Sequence, residues 1–229
     1  MTVHLRVFFV LALLLSLFRA EGQLIALGED SSSILYSDSI QWGPQYEADR
    51  RGREAKILGS NDWGFFAINS ANRSLSLEHY ELSRKLLKEK ELQLPTINDQ
   101  ESDFEAILVM KDALVLFTSV YDKDRAELVA YANIINKDLA FEDLPLEVDR
   151  IEAVRSRKNV DFGFRSASAQ NLFLIYHSTP ELKQSNDPLS FKVYTKNLEL
   201  AWSKNLQLPY EEELFQIADY TNDNEGKVF

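Results

Sequence analysis

The chain has 229 residues, of which 45% are hydrophobic and 11% aromatic, so it can bury a core and does not have a disordered composition. Its net charge of −11 repels a phosphate backbone, so we expect no nucleic-acid partner. Cysteine is absent, which excludes disulfides, thiolate metal sites and cysteine nucleophiles, argues against a eukaryotic extracellular module and fits a bacterial exported protein.

Residues 1–22 have the features of a secretory signal peptide. Arg6 supplies a positive charge, Val7–Phe18 is an apolar run of twelve residues, and Ala20-Glu21-Gly22 is a small-x-small cleavage site. The alternative is an uncleaved membrane anchor, but a spanning helix needs roughly 20 apolar residues. We therefore predict cleavage, a mature chain that starts at Gln23 and does not insert into the membrane, and a periplasmic or extracellular location.

The mature chain contains repeated phrases. Leu-Gln-Leu-Pro occurs at Leu92–Pro95 and at Leu206–Pro209, and in both cases the proline follows a tyrosine by fifteen residues, Tyr80 in the first copy and Tyr194 in the second. A looser copy spans Tyr131–Pro145. Such internal similarity predicts a repeat architecture.

Short apolar runs rich in Phe, Leu, Ile and Val precede each of these tyrosines. They are bounded by turn residues, most clearly at Asp122-Lys123-Asp124, and such runs predict strands joined as hairpins. In the last run, Phe191 and Val193 alternate with Lys192 and Tyr194, so the two pairs should face opposite sides of a sheet.

One segment carries conflicting signals. Tyr80–Leu92 consists of good helix formers, whereas its counterpart Tyr194–Leu206 suits a hairpin that turns near Lys196-Asn197. Because equivalent copies should share one structure, we predict strand–turn–strand for both. Tyr210–Tyr220 follows a proline that could start a helix, and it stays open between helix and strand.

A unit of about 40–50 residues with several short antiparallel strands is typical of a β-propeller blade. A four-stranded sheet that is apolar on both faces must be covered by its neighbours. The stretches IQWGPQYEADRRGREAKILGSNDWGFFAI, NLFLIYHSTPE, FKVYTKNLELAW, LQLPY and NDNEGKVF resemble those of large secreted propeller-like proteins of Bacteroidota-type bacteria, a functionally uncharacterised group. The resemblance covers nearly the whole mature chain and implies a fold and a compartment, with no site residues.

We therefore expect residues 23–229 to form one all-β domain of antiparallel, β-propeller-like blades. We count about three to four blades. This number is at or below the smallest number of blades in a closed propeller. The chain should accordingly be incomplete at its C-terminus, or form an open stack whose exposed strand edges invite pairing with another chain.

Histidine is scarce in the mature chain. His79 and His177 are about two units apart, and no HxH or HExxH spacing occurs. A metal site would need both histidines and a carboxylate to converge. We interpret both as ordinary strand histidines and predict neither a metal site nor a cofactor.

The acidic clusters do not predict catalysis. Glu211-Glu212-Glu213, Asp99–Asp103 and Asp122–Asp124 are interpreted as solvated loops, since a glycosidase needs two carboxylates placed across a cleft. Asn222–Gly226 departs from the calcium-loop pattern and predicts a turn. GxSxG, P-loop and dinucleotide motifs are absent, so we predict no catalytic residues.

Trp42, Trp63 and Trp202 could form an aromatic platform for sugars, but we expect them to fill the cores between blades, where large aromatic side chains dominate the packing. Asn72-Arg73-Ser74 matches the eukaryotic glycosylation sequon, which is idle in a bacterium. Asp38-Ser39-Ile40 resembles the short O-glycosylation motif of Bacteroidota-type bacteria.

Three functional hypotheses follow. The first is an exported, non-catalytic propeller that binds a protein or a glycan at its central or loop face. The second is a carbohydrate-active hydrolase whose carboxylates come from different blades and meet in a channel. The third is a structural role in envelope assembly through open sheet edges. The ligand and the oligomeric state stay open.

Overall fold

The computed structural model describes residues 54–71, 74–152, 160–178, 188–207 and 219–229. All of them belong to the second of two units into which the chain divides, Glu47–Phe229. Several predictions fall outside the described residues: the signal peptide, Trp42, Asp38-Ser39-Ile40, the asparagine of Asn72-Arg73-Ser74, Glu211-Glu212-Glu213 and most of Tyr210–Tyr220.

Fourteen strands in the described residues pair antiparallel and form three four-stranded sheets and one short hairpin, and in each sheet the strands follow chain order. Sheet I consists of β1 (Glu54–Asn61), β2 (Gly64–Ala71), β3 (Ser74–Tyr80) and β4 (Leu86–Glu91). The hairpin consists of β5 (Thr96–Ile97) and β6 (Gln100–Glu101). Sheet II consists of β7 (Asp103–Met110), β8 (Ala113–Asp122), β9 (Glu127–Ile135) and β10 (Leu146–Ile151). Sheet III consists of β11 (Gly163–Ser166), β12 (Leu172–Ser178), β13 (Pro188–Thr195) and β14 (Leu200–Gln207).

The prediction of an all-β antiparallel fold is confirmed. Within the described ranges the four sheets are separate, and they close into neither a barrel nor a propeller. The described residues contain no helix. They therefore contain no helix that is long and apolar enough to cross a membrane.

The strand–turn–strand prediction for Tyr80–Leu92 is also confirmed. β3 ends at Tyr80, and β4 begins at Leu86 and pairs with β3 along its length. This segment is extended although its residues favour helix, because pairing with β3 outweighs local propensity.

Sheet II is apolar on both faces because successive side chains of its central strand point to opposite sides. Leu114 and Leu116 of β8 lie in a core shared with sheet I, whereas Val115 and Phe117 lie in a core shared with sheet III. All four side chains are fully buried. Burying each of them stabilises the fold by about 1.5–3 kcal/mol relative to exposure.

Sheet III shows the predicted alternation in β13. Phe191 and Val193 point to the face that the C-terminal segment covers, whereas Tyr194 lies in the core shared with sheet II. Lys192 also points toward sheet II, where its Nζ lies 2.8 Å from Asp149 Oδ1. The predicted orientation of this strand is confirmed.

One type of tight turn joins the third and fourth strands of every four-stranded sheet. The last turn residue has a positive φ and donates its N–H to the carbonyl three residues earlier, at Arg84 (φ 70°), Leu139 (φ 57°) and Leu198 (φ 64°). Short hairpin loops commonly consist of a type I turn followed by a residue in the left-handed helical conformation.

These turns correct the alignment of the loosest sequence copy. Tyr80, Ile135 and Tyr194 each come directly before the turn, and each pairs with the residue six positions later. The counterpart of the two tyrosines is therefore Ile135, and the prediction that Tyr131 occupies this position is wrong by four residues. The turn, and not the tyrosine, determines the register of such a hairpin.

The three sheets meet along their first strands. β7 contacts β1 and also β11. At the C-terminal ends of β1 and β7, Asn61 Nδ2 donates to Met110 O at 2.8 Å. Gln170, in the loop after β11, connects to both other sheets, because its carbonyl accepts from Lys111 N at 3.0 Å and its Nε2 donates to Ser60 O at 2.9 Å. One end of each sheet is thus bonded to the other two.

Residues 219–229 form a short hairpin on the outer face of sheet III. Tyr220 and Val228 pack in a third apolar core with β12, β13 and β14. Trp202 Nε1 donates to the Gly226 carbonyl at 3.0 Å. This segment covers the face of sheet III that points away from sheet II.

Candidate functional site

A polar cavity of about 140 Å³ lies between the β5–β6 hairpin and one end of sheet II. It opens on the same face of the sheet as Leu114 and Leu116, beyond the apolar core shared with sheet I. Six of its polar side chains come from the hairpin and from β9 and β10: Asn98, Gln100, Glu127, Tyr131, Glu147 and Arg150.

The hairpin presents its side chains through a two-residue turn. Asn98 and Asp99 have positive φ values of 50° and 63°. Asn and Asp adopt this left-handed conformation more readily than other non-glycine residues, and two such residues in succession make the tight hairpin turn. The Asn-Asp pair in the sequence therefore explains why β5 and β6 fold back and place Asn98 at the cavity.

A β-bulge in β10 brings two charged residues to the same face. Val148 has no partner in β9, because Glu147 and Asp149 pair with consecutive residues of that strand. In a regular strand, Glu147 and Arg150 would point to opposite faces, since they are three residues apart. The extra residue reverses this relation, and both side chains line the cavity.

Arg150 binds both carboxylates of the cavity. Its Nε and Nη2 donate to Glu147 Oε1 and Oε2 at 3.1 and 2.9 Å, and its Nη1 donates to Glu127 Oε2. Hydrogen bonds to Glu147 raise the pKa of Arg150 above its ordinary value, against the opposing effect of burial, and Glu127 adds to the rise. Bidentate pairing of this kind is strong and directional.

Tyr131 presents a neutral hydroxyl to the cavity. Burial raises the pKa of Tyr131, the charge of Glu147 raises it further, and Arg150 acts in the opposite direction. With the other residues that the structure describes, the side chains of Tyr131, Asn98 and Gln100 form no hydrogen bond. These three side chains line the same cavity and can each form hydrogen bonds with a ligand.

The opposite face of β10 carries a buried polar cluster against sheet III. Asp149 is 2% exposed, and its Oδ1 accepts from Arg150 N at 2.8 Å and lies 2.8 Å from Lys192 Nζ. His177 Nε2 lies 3.5 Å from Asp149 Oδ2. Burial opposes ionisation of Asp149, but His177 and Lys192 outweigh it, so the pKa of Asp149 lies below its ordinary value.

The carbonyl of the bulged residue completes this cluster. Val148 O accepts from Tyr194 OH at 2.5 Å and from Lys192 Nζ at 3.4 Å. Burial, with the charges of Asp149 and Glu147, raises the pKa of Tyr194 to about 12. The cluster bonds β10 to sheet III inside the core and offers little access to a ligand, since the His177 side chain is 5% exposed.

The two histidines do not meet. His79 lies in sheet I, where its Nε2 is 2.9 Å from Trp63 O and its ring stacks on Phe66 at 4.6 Å. His177 lies in sheet III, on the other side of sheet II. Both histidines lie in strands, as predicted, but the contact of His177 with Asp149 was not predicted. Among the described residues, no three His, Cys, Asp or Glu side chains are placed to hold a metal ion.

Two tryptophans and two acidic turns behave as predicted. Trp63 and Trp202 pack in the cores of sheets I and III rather than on an exposed platform. Asp122 Oδ1 accepts from the N–H groups of residues 124 and 125 and stabilises the β8–β9 turn. Asp223 Oδ1 accepts from the N–H groups of residues 225 and 227, and Gly226 has a φ of 82°, so Asn222–Gly226 is a turn.

The cavity itself was missed by the sequence analysis. Its residues extend from Asn98 to Arg150 and come from a hairpin and three strands. Glu147 and Arg150 are close in sequence, but strand alternation assigns them to opposite faces. The sequence around Val148 contains no local signal for a bulge. Regular strand alternation therefore predicts that Glu147 and Arg150 lie apart.

No protein-family model, curated protein or solved structure matches this chain.

Proposed function

We propose that this chain is an exported, non-catalytic β-propeller-like protein that binds a protein or glycan partner on the face that carries the polar cavity. The observation that supports it most is the contact of β7 with both β1 and β11, while sheet II packs face to face on its two neighbours. Propeller blades are four-stranded sheets set around a central channel, which requires neighbouring first strands of this kind.

The C-terminal hairpin extends the same pattern by one step. Both oxygens of Asp219 accept from Arg165 Nη2 of β11 at 2.9 Å. Asn224 Oδ1 accepts from Ala169 N, in the loop after β11, at 2.7 Å. Residues 219–229 therefore pack on sheet III in the way that sheet III packs on sheet II. This arrangement supports a series of stacked blades.

A hydrolase is the alternative, and Glu127 and Glu147 are its candidate carboxylates. A glycosidase needs one carboxyl group that donates a proton and a second that acts as base or nucleophile. In the cavity both groups already accept hydrogen bonds from Arg150. This arrangement favours recognition over proton transfer.

Assembly through sheet edges has less support. The outer strand of sheet I, β4, exposes Glu89, Lys90 and Glu91 along its free edge. Charged residues on an edge strand discourage pairing with another chain. The same strand also exposes Leu86 and Leu87, so its charges discourage strand addition mainly at its C-terminal half.

Two assays on the mature chain test the proposal: a glycan array, and capture of partners from an envelope extract. We expect retention in at least one of them, and we expect Gln100→Ala, on the cavity face, to weaken it several-fold. The matched control is Asp112→Ala, in the β7–β8 loop at the other end of sheet II, which should leave binding unchanged. Silence in both assays with a folded chain contradicts the proposal.

Reporter glycosides separate binding from hydrolysis. We expect no turnover. Turnover that disappears in Glu147→Gln, with the fold retained, would replace the binding proposal by the hydrolase.

A further inference from the structure

The charges that line the cavity are paired with one another. Arg150 lies between Glu127 and Glu147, and Arg125 Nε lies 3.6 Å from Asp122 Oδ2. The lining contains three carboxylates, Asp122, Glu127 and Glu147, and two guanidinium groups. An anionic ligand would therefore have to break one of these pairs or lie next to a carboxylate, and either carries an electrostatic penalty. An uncharged ligand meets neither penalty.

Both donors and acceptors remain for an uncharged ligand. Tyr131 OH can donate, and the side-chain amides of Asn98 and Gln100 can donate and accept. Glu127 uses Oε2 for its bond to Arg150 and keeps Oε1 as an acceptor. Hydroxyl groups donate and accept at once, so a polyol can use this mixed set of partners.

The cavity also has an apolar wall. Val120 and Val129 face each other across the β8–β9 pair, and both line the cavity. A pyranose ring has a C–H face and a rim of hydroxyl groups, which matches a space that is apolar on one side and polar on the others. The cavity has a volume of about 140 Å³, which is small and suits one ring better than a chain of rings.

We propose that this cavity is a binding subsite for a single neutral, polyhydroxylated ring, such as the terminal pyranose of a glycan. The proposal rests on the proposed binding function and names the chemical class of its ligand. Asn98, Gln100 and Tyr131 hydrogen-bond the ring hydroxyls, and Glu127 accepts from one of them. Arg150 holds the carboxylates in place.

The test titrates the mature chain with methyl pyranosides of glucose, galactose, mannose and N-acetylglucosamine and follows binding by ligand-observed NMR. We expect at least one of them to bind with a Kd on the order of 1–10 mM, as suits a small single-ring subsite. Glucuronate, which carries a negative charge, should bind more weakly than its neutral counterpart.

Conservative variants locate the binding. Tyr131→Phe removes one hydroxyl group and keeps the ring, and it should weaken binding by about 3- to 10-fold, the effect of one lost hydrogen bond. Gln100→Ala should weaken it to a similar extent. Tyr176→Phe is the matched control, because Tyr176 OH donates to Asp219 Oδ1 at 3.0 Å in sheet III, away from the cavity. It should bind as the wild type does.

Three results overturn the inference: a folded chain that binds no pyranoside, binding that survives both Tyr131→Phe and Gln100→Ala, or tighter binding of glucuronate than of its neutral counterpart. If such a chain still captures a protein partner, the proposed binding function stands without this subsite. If it captures nothing in either assay, both proposals fall.

Discussion

The two faces of sheet II are made of the same strands, yet their charged residues differ in burial: those on one face are buried, and those on the other line an open cavity. Toward sheet III, beside the aromatic core around Phe117, the buried Asp149 pairs with Lys192. Toward sheet I, the core is mostly aliphatic, and the charged residues Glu147 and Arg150 lie beyond it at an open cavity. One strand, β10, thus supplies a buried contact between sheets and an accessible site at the same time.

The bulge at Val148 makes this possible. Without it, Glu147 and Asp149 would share one face and Arg150 would lie on the other. The bulge turns both Val148 and Asp149 toward sheet III and leaves Glu147 and Arg150 together on the cavity side. Bulges commonly redirect side chains in this way next to functional sites.

The buried pair is better regarded as a means of positioning than as a source of net stability. Desolvation of Asp149 offsets much of its attraction to Lys192, whose side chain is 27% exposed. Loss of Lys192 is nevertheless costly, because Asp149 would keep its charge inside the core with less compensation.

The largest effect should come from truncating the central strand on either face. Phe117→Ala removes a ring that stacks on Phe164 at 4.3 Å and contacts Phe173 edge-on at 5.3 Å, so it should lower the free energy of unfolding by about 3–5 kcal/mol. Leu116→Ala, on the face toward sheet I, should cost about 2–4 kcal/mol. Denaturant titration measures both. A larger loss for Leu116→Ala would show that sheet I, and not sheet III, forms the tighter contact with sheet II.

An intermediate effect is expected for Asp149→Asn, which keeps the shape of the side chain and removes its charge. The free energy of unfolding should fall by about 2 kcal/mol, the range of hydrogen bonds to charged groups. Asp138→Asn is the control, since Asp138 pairs with Lys88 at 3.2 Å with its side chain 85% exposed. Its loss should stay below about 0.5 kcal/mol. Equal losses in the two variants would contradict the role given to the buried pair.

The pH dependence of the same variant sharpens this test. The pKa of Asp149 lies below its ordinary value of 3.8 in the folded chain, so the unfolded chain takes up this proton first as the pH falls. The stabilisation is complete above pH 3.8 and is lost as the pH falls through the lower folded value. Below about pH 4, Asp149→Asn should therefore lose less stability than the wild type.

The smallest of these effects should come from Tyr194→Phe, which removes the hydrogen bond to Val148 O. We expect a loss of about 1 kcal/mol at neutral pH. Because the pKa of Tyr194 is raised from 10.0 to about 12, the stabilisation is complete below pH 10 and is lost between pH 10 and 12. Wild type and variant should converge over that range. A constant difference would mean that the hydroxyl is not shielded in the folded chain.

Particular elements show which parts of the fold could be predicted. The alternation of β13 and the turns at Asp122 and Asp223 were predicted, because they depend on residues within a few positions of one another. The extended structure of Tyr80–Leu92 required its comparison with Tyr194–Leu206, since its own composition favours helix. The alignment of Tyr131 failed because a four-residue shift is invisible until the turn at Leu139 is known.

The amino-acid sequence alone determined the secondary structure class, the two-sided apolar character of the sheets and the placement of Trp63 and Trp202 in cores. These follow from local alternation and from the burial of large apolar side chains. The position of Arg150 between two carboxylates and the contact of Asp149 with His177 became known from the tertiary structure alone. Both contacts depend on one unpaired residue in β10 and on the packing of separate sheets, and neither is encoded in the spacing of neighbouring residues.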